Sequence, residues 1–341
     1  MREVLDKVLS GQTLEEAEGQ AVFGAMMDGR VSPTVMAALL AGMRARGETP
    51  RELAALARVM MDRAVKVTPS RRPLVDTCGT GGDNQATVNV STLAALVVAG
   101  AGVAVAKHGN RSVSSRCGSA DVLEGLGLNL DLSPQEVTRS IDRVGFGFLF
   151  APRFHPAMAH AAPVRRELGV RTIFNMLGPL VNPAGVEYQV VGTPTREGTY
   201  MMAQAFQLLG KKKVLIIHGL EGLDEVSPQG ETLVLEVTPG GMGEFSFTPH
   251  DFGFPGIPLE EIRVSGKEEA VERACAILGG RNDPARYVVI MEAGLALYTV
   301  GRAASPLQGV EMARAALEGG RALDVLEKAV AFSKRSVEAG A

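Results

Sequence analysis

Asp76-Thr77-Cys78-Gly79-Thr80-Gly81-Gly82-Asp83 carries a β-rich run that begins at Leu74 into a glycine-rich loop, and Asn89-Val90-Ser91-Thr92 then opens an apolar, helix-like stretch reaching Ala99. Glycines without β-carbons let the chain turn tightly and bring main-chain N–H groups against an anion, and a helix N-terminus adds oriented donors and a favourable dipole. The loop therefore reads as a phosphate cradle. Asp83 at its lip would repel a bare phosphate, so the pattern favours a phosphorylated sugar, whose hydroxyls can donate to a carboxylate, or a metal-complexed phosphate.

Working outward, short β-rich runs alternate with longer helical ones from about residue 70 onward, which indicates an α/β architecture around a largely parallel sheet. Strands are expected at Leu74 to Thr77, Val103 to Ala106, Gly145 to Phe150, Gln189 to Gly192, Val214 to His218 and Tyr287 to Ile290. Thr232 to Val237 and Glu244 to Thr248 read as an antiparallel hairpin with a flexible six-residue connection from Thr238 to Gly243. A helix is expected from Ser133 to Asp142, begun by the capping box Ser133 to Glu136, and the chain ends in helices from Pro306 onward. Residues 1–67 are helical throughout, with start signals at Thr13-Leu14-Glu15-Glu16, Ser32-Pro33 and Thr49-Pro50-Arg51-Glu52. The expected division is a small all-helical unit over 1–67, joined by helices from about 160–182, and a large α/β domain over 70–341.

A second polar cluster, Lys107-His108-Gly109-Asn110-Arg111-Ser112-Val113-Ser114-Ser115, follows the run ending at Ala106. Such a loop at the carboxyl end of a strand lies where open α/β sheets bind ligands. Lys107 supplies a point charge, Arg111 a fork, and the serines small donors for phosphate oxygens. One such loop alone would read as solvated surface, and two at successive strand ends point to a site. Asp224-Glu225 offers adjacent hard oxygen ligands suited to magnesium, although alone it would read as a solvated turn; the Ser91 hydroxyl is a further candidate ligand. Arg165, ahead of Ile173-Phe174-Asn175-Met176-Leu177-Gly178-Pro179-Leu180, could grip a carboxylate beside apolar residues, or make an ordinary surface pair. His155 is equally open to a structural reading.

With 341 residues, 46% hydrophobic and 21% charged, the chain has the composition of a compact globular protein. A formal net charge of −3 supplies no global basic field, so no nucleic-acid partner is expected. No apolar run is long enough to span a membrane, and the N-terminus lacks the apolar core of a signal peptide. Cys78, Cys117 and Cys275 are odd in number and widely spaced, so neither a disulfide framework nor structural zinc is expected, and a reducing cytoplasm is the natural compartment. No Ser/His/Asp or Cys/His nucleophile set emerges, and the glycine loop matches neither the dinucleotide nor the nucleoside-triphosphate fingerprint.

Taken together, G-T-G-G-D at 79–83, N-V-S-T at 89–92, K-H-G-N-R-S-V-S-S at 107–115, G-S-A-D at 118–121 and D-E at 224–225 resemble the anthranilate phosphoribosyltransferase family. H-P-A-M at 155–158 and R-T-I-F-N-M-L-G-P-L ending at Leu180 extend the resemblance over nearly the whole chain. It implies a nucleoside phosphorylase/phosphoribosyltransferase-like α/β fold, with the site in a cleft between helical and α/β parts. The implied reaction is phosphoribosyl transfer from phosphoribosyl pyrophosphate to the amine of anthranilate, in tryptophan biosynthesis. Carried over by position, Gly79, Gly82, Asp83, Thr87, Asn89, Val90, Ser91, Thr92, Lys107, His108, Gly109, Asn110, Arg111, Ser112, Val113, Ser114, Ser115 and Ser119 would bind the donor. Gly79, His108, Asn110, Arg165 and Pro179 would meet anthranilate, with Arg165 on its carboxylate. Two magnesium ions are implied, one on Ser91 and Glu225 and one on Asp224 and Glu225, with no dedicated catalytic acid or base and a homodimeric assembly. Two alternatives stand beside this reading. A pyrimidine nucleoside phosphorylase would use inorganic phosphate and have no need of the acidic pair, and a nucleic-acid-binding relative without catalysis would call for more basic charge.

Overall fold

The computed structural model describes residues 1–111 and 116–338. Seven strands form one sheet: β1 Leu74–Gly79, β2 Ala104–Gly109, β3 Phe146–Phe150, β4 Tyr188–Gly192, β5 Lys213–Gly219, β6 Thr232–Thr238 and β7 Gly241–Phe247. Their spatial order is β3-β2-β1-β4-β5-β6-β7. The first five are mutually parallel, and β6 and β7 continue the sheet as an antiparallel hairpin. From β1 the connections run outward in one direction through β2 and β3, then return to β4 on its other side. The topological switch point therefore lies between β1 and β4, where Gly79 pairs with Gly192 at the carboxyl edge.

Side chains alternate across the sheet because the strand period is two. Leu215 and Ile217 of β5 join an apolar cluster with Val90–Gly100, Arg286–Thr299 and Pro306–Glu318 on one face. Val214 and Ile216 face the opposite way, into a second cluster shared with the helix Arg196–Leu209 and the N-terminal helices. That second cluster also takes in Ala161, Val164, Ile173, Phe174, Leu177, Leu180 and Val181, so the segment after β3 packs with the N-terminal helices.

Several sequence expectations shift. Tyr287 to Ile290 is not a strand but the start of the helix Arg286–Thr299. Residues Val288 to Leu297 are buried all round this helix, and a short β-branched run inside a buried helix has the same periodicity as a buried strand. The helix crosses Pro306–Glu318 so closely that a Cβ on Gly309 would lie 2.2 Å from the Gly294 carbonyl oxygen. In the hairpin, Thr238 pairs with Gly241, which reduces the expected flexible connection to Pro239-Gly240. Gly241 adopts φ 137°, open to glycine and costly for other residues.

Four N-terminal helices form rather than three: Arg2–Leu9, Glu16–Met27, Pro33–Arg46 and Pro50–Arg63. The first has no side-chain cap, hence no capping signal. The second is capped by Glu15 with Glu18 rather than by Thr13 with Glu16. Leu14 is buried and its N–H donates to Glu52 Oε1 at 2.8 Å, which commits Thr13-Leu14 to the preceding loop. The boxes at Thr49 to Glu52 and Ser133 to Glu136 form as read.

Candidate active site

The carboxyl edge of β1 and β4 is shaped by what glycine permits. The segment carrying Asp224 crosses directly over it: a Cβ on Gly192 would lie 1.6 Å from the Asp224 carbonyl oxygen, and one on Gly79 would lie 2.3 Å from Asp224 Oδ2. Two glycines in register thus let a carboxylate-bearing loop rest on the sheet edge. The Gly81 N–H donates to Asp224 Oδ2 at 2.7 Å, so the glycine loop after β1 is tied to the acidic pair by a charge-assisted bond.

Beyond Gly81 the loop is strained and pinned. Asn84 and Ala86 have φ of 56° and 54°, a left-handed conformation that non-glycine residues adopt at a cost of about 1–2 kcal/mol. Neighbours hold it there. Val264 N–H donates to the Ala86 carbonyl at 2.7 Å, Thr87 bridges Arg263, and Val88 N–H donates to the Ile262 carbonyl at 2.8 Å. Arg171 lies against Gly82, its guanidinium donating to the Gly81 and Gly82 carbonyls at 3.3–3.4 Å. The helix Val90–Gly100 then begins without a side-chain cap bond, and the Asn89 amide nitrogen donates to the Cys117 carbonyl at 3.0 Å. In the first turn the Val90 N–H donates to the Val88 carbonyl at 2.7 Å and the Thr92 N–H to the Asn89 carbonyl at 3.0 Å, so an anion there would replace these partners. Val90 and Thr92 are buried, so of these two only the main chain is offered to a ligand.

Four carboxyl groups gather behind this loop. Asp224 and Glu225 are 9% and 8% exposed and Glu292 is 1% exposed. Asp224 meets Asp83, and Glu225 meets Glu292. Burial pushes Asp224 and Glu225 well above the usual carboxylate range, reinforced for Asp224 by Glu225 and Asp83 and for Glu225 by Glu292. Burial likewise raises Glu292. The Ser91 N–H donates to Glu225 Oε1 at 3.4 Å. Lys107, 2% exposed, donates to the Thr77 carbonyl and, at 3.2 Å, to Ser91 Oγ, so the buried cation lies beside the Ser91 and Glu225 oxygens.

The other wall is neutral. The His108 ring meets the His155 ring edge-on at 5.1 Å, and burial, then His155 and Lys107, hold His108 down to about 3. Burial takes His155 to about 4. His108 Nδ1 is 3.2 Å from the Gly178 carbonyl oxygen, which fixes the Nδ1–H tautomer and leaves Nε2 a buried acceptor without a partner among the described residues. Asp76, fully buried under β2, accepts from the His108 N–H at 3.3 Å and from Asn182 Nδ2 at 2.8 Å, and burial raises it to about 6. Pro179 is buried beside Gly178, its carbonyl accepting from Gln189 at 2.7 Å. Arg165 lies 5.4 Å from the Phe174 ring centre and has no carboxylate partner among the described residues, with burial lowering its pKa.

The structure sets apart some expected residues. Arg111 is engaged on the surface by Asp121 and Glu124 at 3.1 and 2.7 Å, and Asn110 is exposed, its carbonyl accepting from Ala120 N–H and Ser119 Oγ. A Cβ on Gly109 would meet Ser119 Oγ at 2.1 Å, which places Ser119 against the end of β2. Ser112, Val113, Ser114 and Ser115 lie outside the described residues. Cys78 is buried and its thiol is pushed well above its ordinary value, in keeping with a non-nucleophilic role.

Sequence reasoning missed Arg171, Asn182 and Glu292. Asn182, in Val181-Asn182-Pro183, carries only a turn signal. Glu292 does leave a trace, as a single charge within an otherwise apolar helix.

Comparison with known proteins places this geometry. The glycosyl transferase family α/β domain matches residues 71–323 and the glycosyl transferase family helical bundle domain matches residues 2–64. An anthranilate phosphoribosyltransferase of Symbiobacterium thermophilum is 46% identical over 335 residues, covering 98% of each chain. Another, of Nitrosomonas europaea, is 45% identical over 97% of this chain and 98% of its own. The crystal structure of the Thermus thermophilus anthranilate phosphoribosyltransferase superposes with a TM-score of 0.92 at 47% identity, covering 97% of this chain and 99% of its own. The Saccharomyces cerevisiae anthranilate phosphoribosyltransferase, in complex with phosphoribosyl pyrophosphate and Mg, gives a TM-score of 0.90 at 26% identity, covering 98% and 97%.

Proposed function

The chain belongs to the anthranilate phosphoribosyltransferases of this glycosyl transferase family, and from that membership we propose how its own residues divide the reaction. The reaction moves the phosphoribosyl group of phosphoribosyl pyrophosphate onto the amine of anthranilate, in tryptophan biosynthesis. The bond from C1 of the ribose to the pyrophosphate oxygen breaks, a C1–N bond forms, and the amine gives up a proton. Attack opposite the leaving group inverts C1.

The observation that carries the division of labour is the Asp224 carboxylate held over Gly79–Gly81 with Glu225 and buried Lys107 beside it. The donor is read onto Gly79, Gly82, Asp83, Thr87, Asn89 to Thr92, Lys107 to Arg111 and Ser119, with Ser112 to Ser115 completing the loop. The helix N-terminus at residues 90–92 suits phosphate oxygens once its amides exchange their present acceptors, and Asp83 suits the ribose hydroxyls. Lys107 stabilises negative charge growing on the leaving oxygens.

A set of hard oxygens short of positive charge suits magnesium, and Glu225 Oε2 is buried without a donor among the described residues. The relative from Saccharomyces cerevisiae binds Mg with the donor. In this chain Ser91 with Glu225, and Asp224 with Glu225, would hold two ions. When bound, they neutralise the departing pyrophosphate.

The acceptor is read onto Arg165, His108, Asn110, Gly79 and Pro179. Arg165, half-buried and without a carboxylate partner among the described residues, receives the carboxylate. Neutral His108 offers Nε2 to an amine N–H, and Pro179 lies against the ring. An aromatic amine is already unprotonated at neutral pH, so orientation replaces a dedicated base. In this reading residues 1–67 with about 160–182 form one side of the cleft and the rest of 70–341 the other, and the chain acts as a cytoplasmic homodimer.

Anthranilate fluorescence should fall only when phosphoribosyl pyrophosphate and magnesium are both supplied, and Asp224→Asn with Glu225→Gln should abolish that loss while leaving the circular dichroism spectrum intact. Full turnover by the double variant would remove the metal role, and a single-chain sedimentation value would remove the dimer.

A further inference from the structure

Gly81 and Gly82 carry the loop after β1 through two successive left-handed residues, with φ of 69° and 86°. Before this turn the loop is tied down by the Thr80 N–H, which donates to the Gly192 carbonyl at 2.9 Å, and by the Gly81 N–H on Asp224. After it, Gln85 Oε1 accepts from Arg263 at 2.6 Å, and Ala86 and Val88 bond to the main chain of Val264 and Ile262. Between these ties, the Gly81 and Gly82 carbonyls accept from Arg171 and from no other donor among the described residues. Nη1 is shared between the two carbonyls and Nη2 lies on Gly81, so the planar fork spans two consecutive peptides, which a point charge does not do. A Cβ on Gly82 would lie 1.6 Å from Nη1, so the guanidinium occupies the space that this glycine leaves open.

Arg171 reaches the loop from the segment that carries Arg165 and Pro179. It stands between the helix Ala162–Leu168 and the short turn Ile173–Asn175, and its base is firm: Thr172 and Ile173 are buried, and the Thr172 N–H donates to Asn175 Oδ1 at 2.9 Å. The side chain itself is exposed and forms no ion pair among the described residues. Contacts of 3.3–3.4 Å from an exposed side chain add little to the stability of the fold, so what they set is the place of the loop. Resting on the reading of Gly79 to Asp83 as part of the donor site, we propose that Arg171 is a positioning residue for the phosphoribosyl donor. It holds the Gly81–Gly82 turn, and through it Asp83, from the acceptor side of the cleft. The acceptor wall does not lean on Arg171 in return, because the Gly178 and Pro179 carbonyls are engaged by His108 and Gln189. Loss of the fork is therefore felt by the donor.

The test is the KM of each substrate, measured on the full-length protein by anthranilate fluorescence at saturating magnesium, with Tm recorded alongside. Arg171→Met is expected to raise the KM for phosphoribosyl pyrophosphate at least about fivefold, the effect of one hydrogen bond, and the KM for anthranilate less than about twofold, with Tm unchanged. A smaller rise for the donor, or a rise of twofold or more for anthranilate, overturns the proposal. Arg171→Lys keeps the charge without the fork and should still show a raised donor KM; a value within about twofold of the unsubstituted chain overturns the two-carbonyl hold. Asp83→Asn tests the reading beneath. An unchanged donor KM in that variant removes the loop from the donor site and Arg171 with it, whereas a raised donor KM in Asp83→Asn beside an unchanged one in Arg171→Met refutes the role of Arg171 alone. Should Arg171→Met fail to fold, Arg171→Gln is read by the same assay and thresholds.

Discussion

Gly79→Ala isolates what the sheet edge does for the site. The new methyl carbon would lie 2.3 Å from Asp224 Oδ2 and 3.0 Å from its Cγ, so the two groups must separate by about 1 Å to reach ordinary van der Waals contact. The main chain of Asp224 cannot yield, since it lies on Gly192 within the space a Cβ would occupy. Relief must come from rotation of the Asp224 side chain, which breaks the 2.7 Å bond from the Gly81 N–H. A hydrogen bond to a charged group contributes about 1.5–3 kcal/mol, so transition-state stabilisation should fall by roughly 10- to 150-fold in kcat/KM. The magnesium concentration for half-maximal activity should rise with it. The assay is anthranilate fluorescence at varied magnesium, alongside thermal unfolding to show that the fold survives. Unsubstituted kcat/KM and magnesium dependence in Gly79→Ala would refute the claim that Asp224 is positioned by the glycine beneath it. Gly192→Ala, which strikes main chain instead, should lose folded protein outright.

Arg165→Gln should raise the KM for anthranilate by roughly 10- to 150-fold, from loss of one charge-assisted contact, and leave the donor KM within a few-fold; equal effects on both substrates would count against a carboxylate grip. Gly309→Ala should destabilise the chain by about 1–3 kcal/mol in urea unfolding, because its methyl group would enter the Gly294 backbone. The pH dependence of stability should shift with magnesium. Asp76, Asp224, Glu225 and Glu292 are raised, so the folded chain keeps protons there that the unfolded chain releases near pH 4. Their contribution is fullest below about pH 4 and is lost as pH rises through their folded values. His108 and His155 are lowered to about 3 and about 4, so theirs is present above the unfolded value of about 6.5 and lost as pH falls. Each group contributes up to about 1.4 kcal/mol per pH unit across its window. As pH rises from 4 to 6 the four acids pull stability down and the two histidines pull it up, and saturating magnesium should remove the pull of Asp224, Glu225 and Glu292, so stability should rise more steeply with pH in magnesium than in chelator. Urea midpoints with identical slopes in both conditions would refute this.

What the sequence disclosed is what neighbours in the chain decide. The strand starting at Leu74 and the caps at Ser133 and Thr49 announce themselves within a few residues, because turn geometry and capping are local, whereas β1 and β2 run on to Gly79 and Gly109, so Lys107 and His108, expected in a loop, are buried strand residues. Glu292, Asn182 and Arg171 acquire meaning only from partners far along the chain: Glu225, Asp76 and Gly81. Tyr287 to Ile290 misleads for the same reason. Its β-branched residues are set into a helix by the close crossing at Gly294 and Gly309, which no window of a few residues contains. The acidic pair at Asp224 stands out in the sequence as adjacent carboxylates, but its place above Gly79 and Gly192 is set by the sheet edge it crosses.

The apolar cluster shared by the N-terminal helices and the reverse face of the sheet bears on synthesis at the ribosome. Met26, Leu40, Leu53 and Leu56 emerge early, whereas partners such as Phe206, Val214, Ile216 and Leu235 lie far downstream. At about 5–20 residues per second, the roughly 170 residues between Arg63 and Val237 take on the order of 10–35 s to be made. Until the segment from Ala161 to Val181 is made, the first four helices carry an apolar flank without its cover, and that cover stays partial until β5 and β6 follow, a window in which the nascent chain depends on chaperones and on the order in which its parts are delivered.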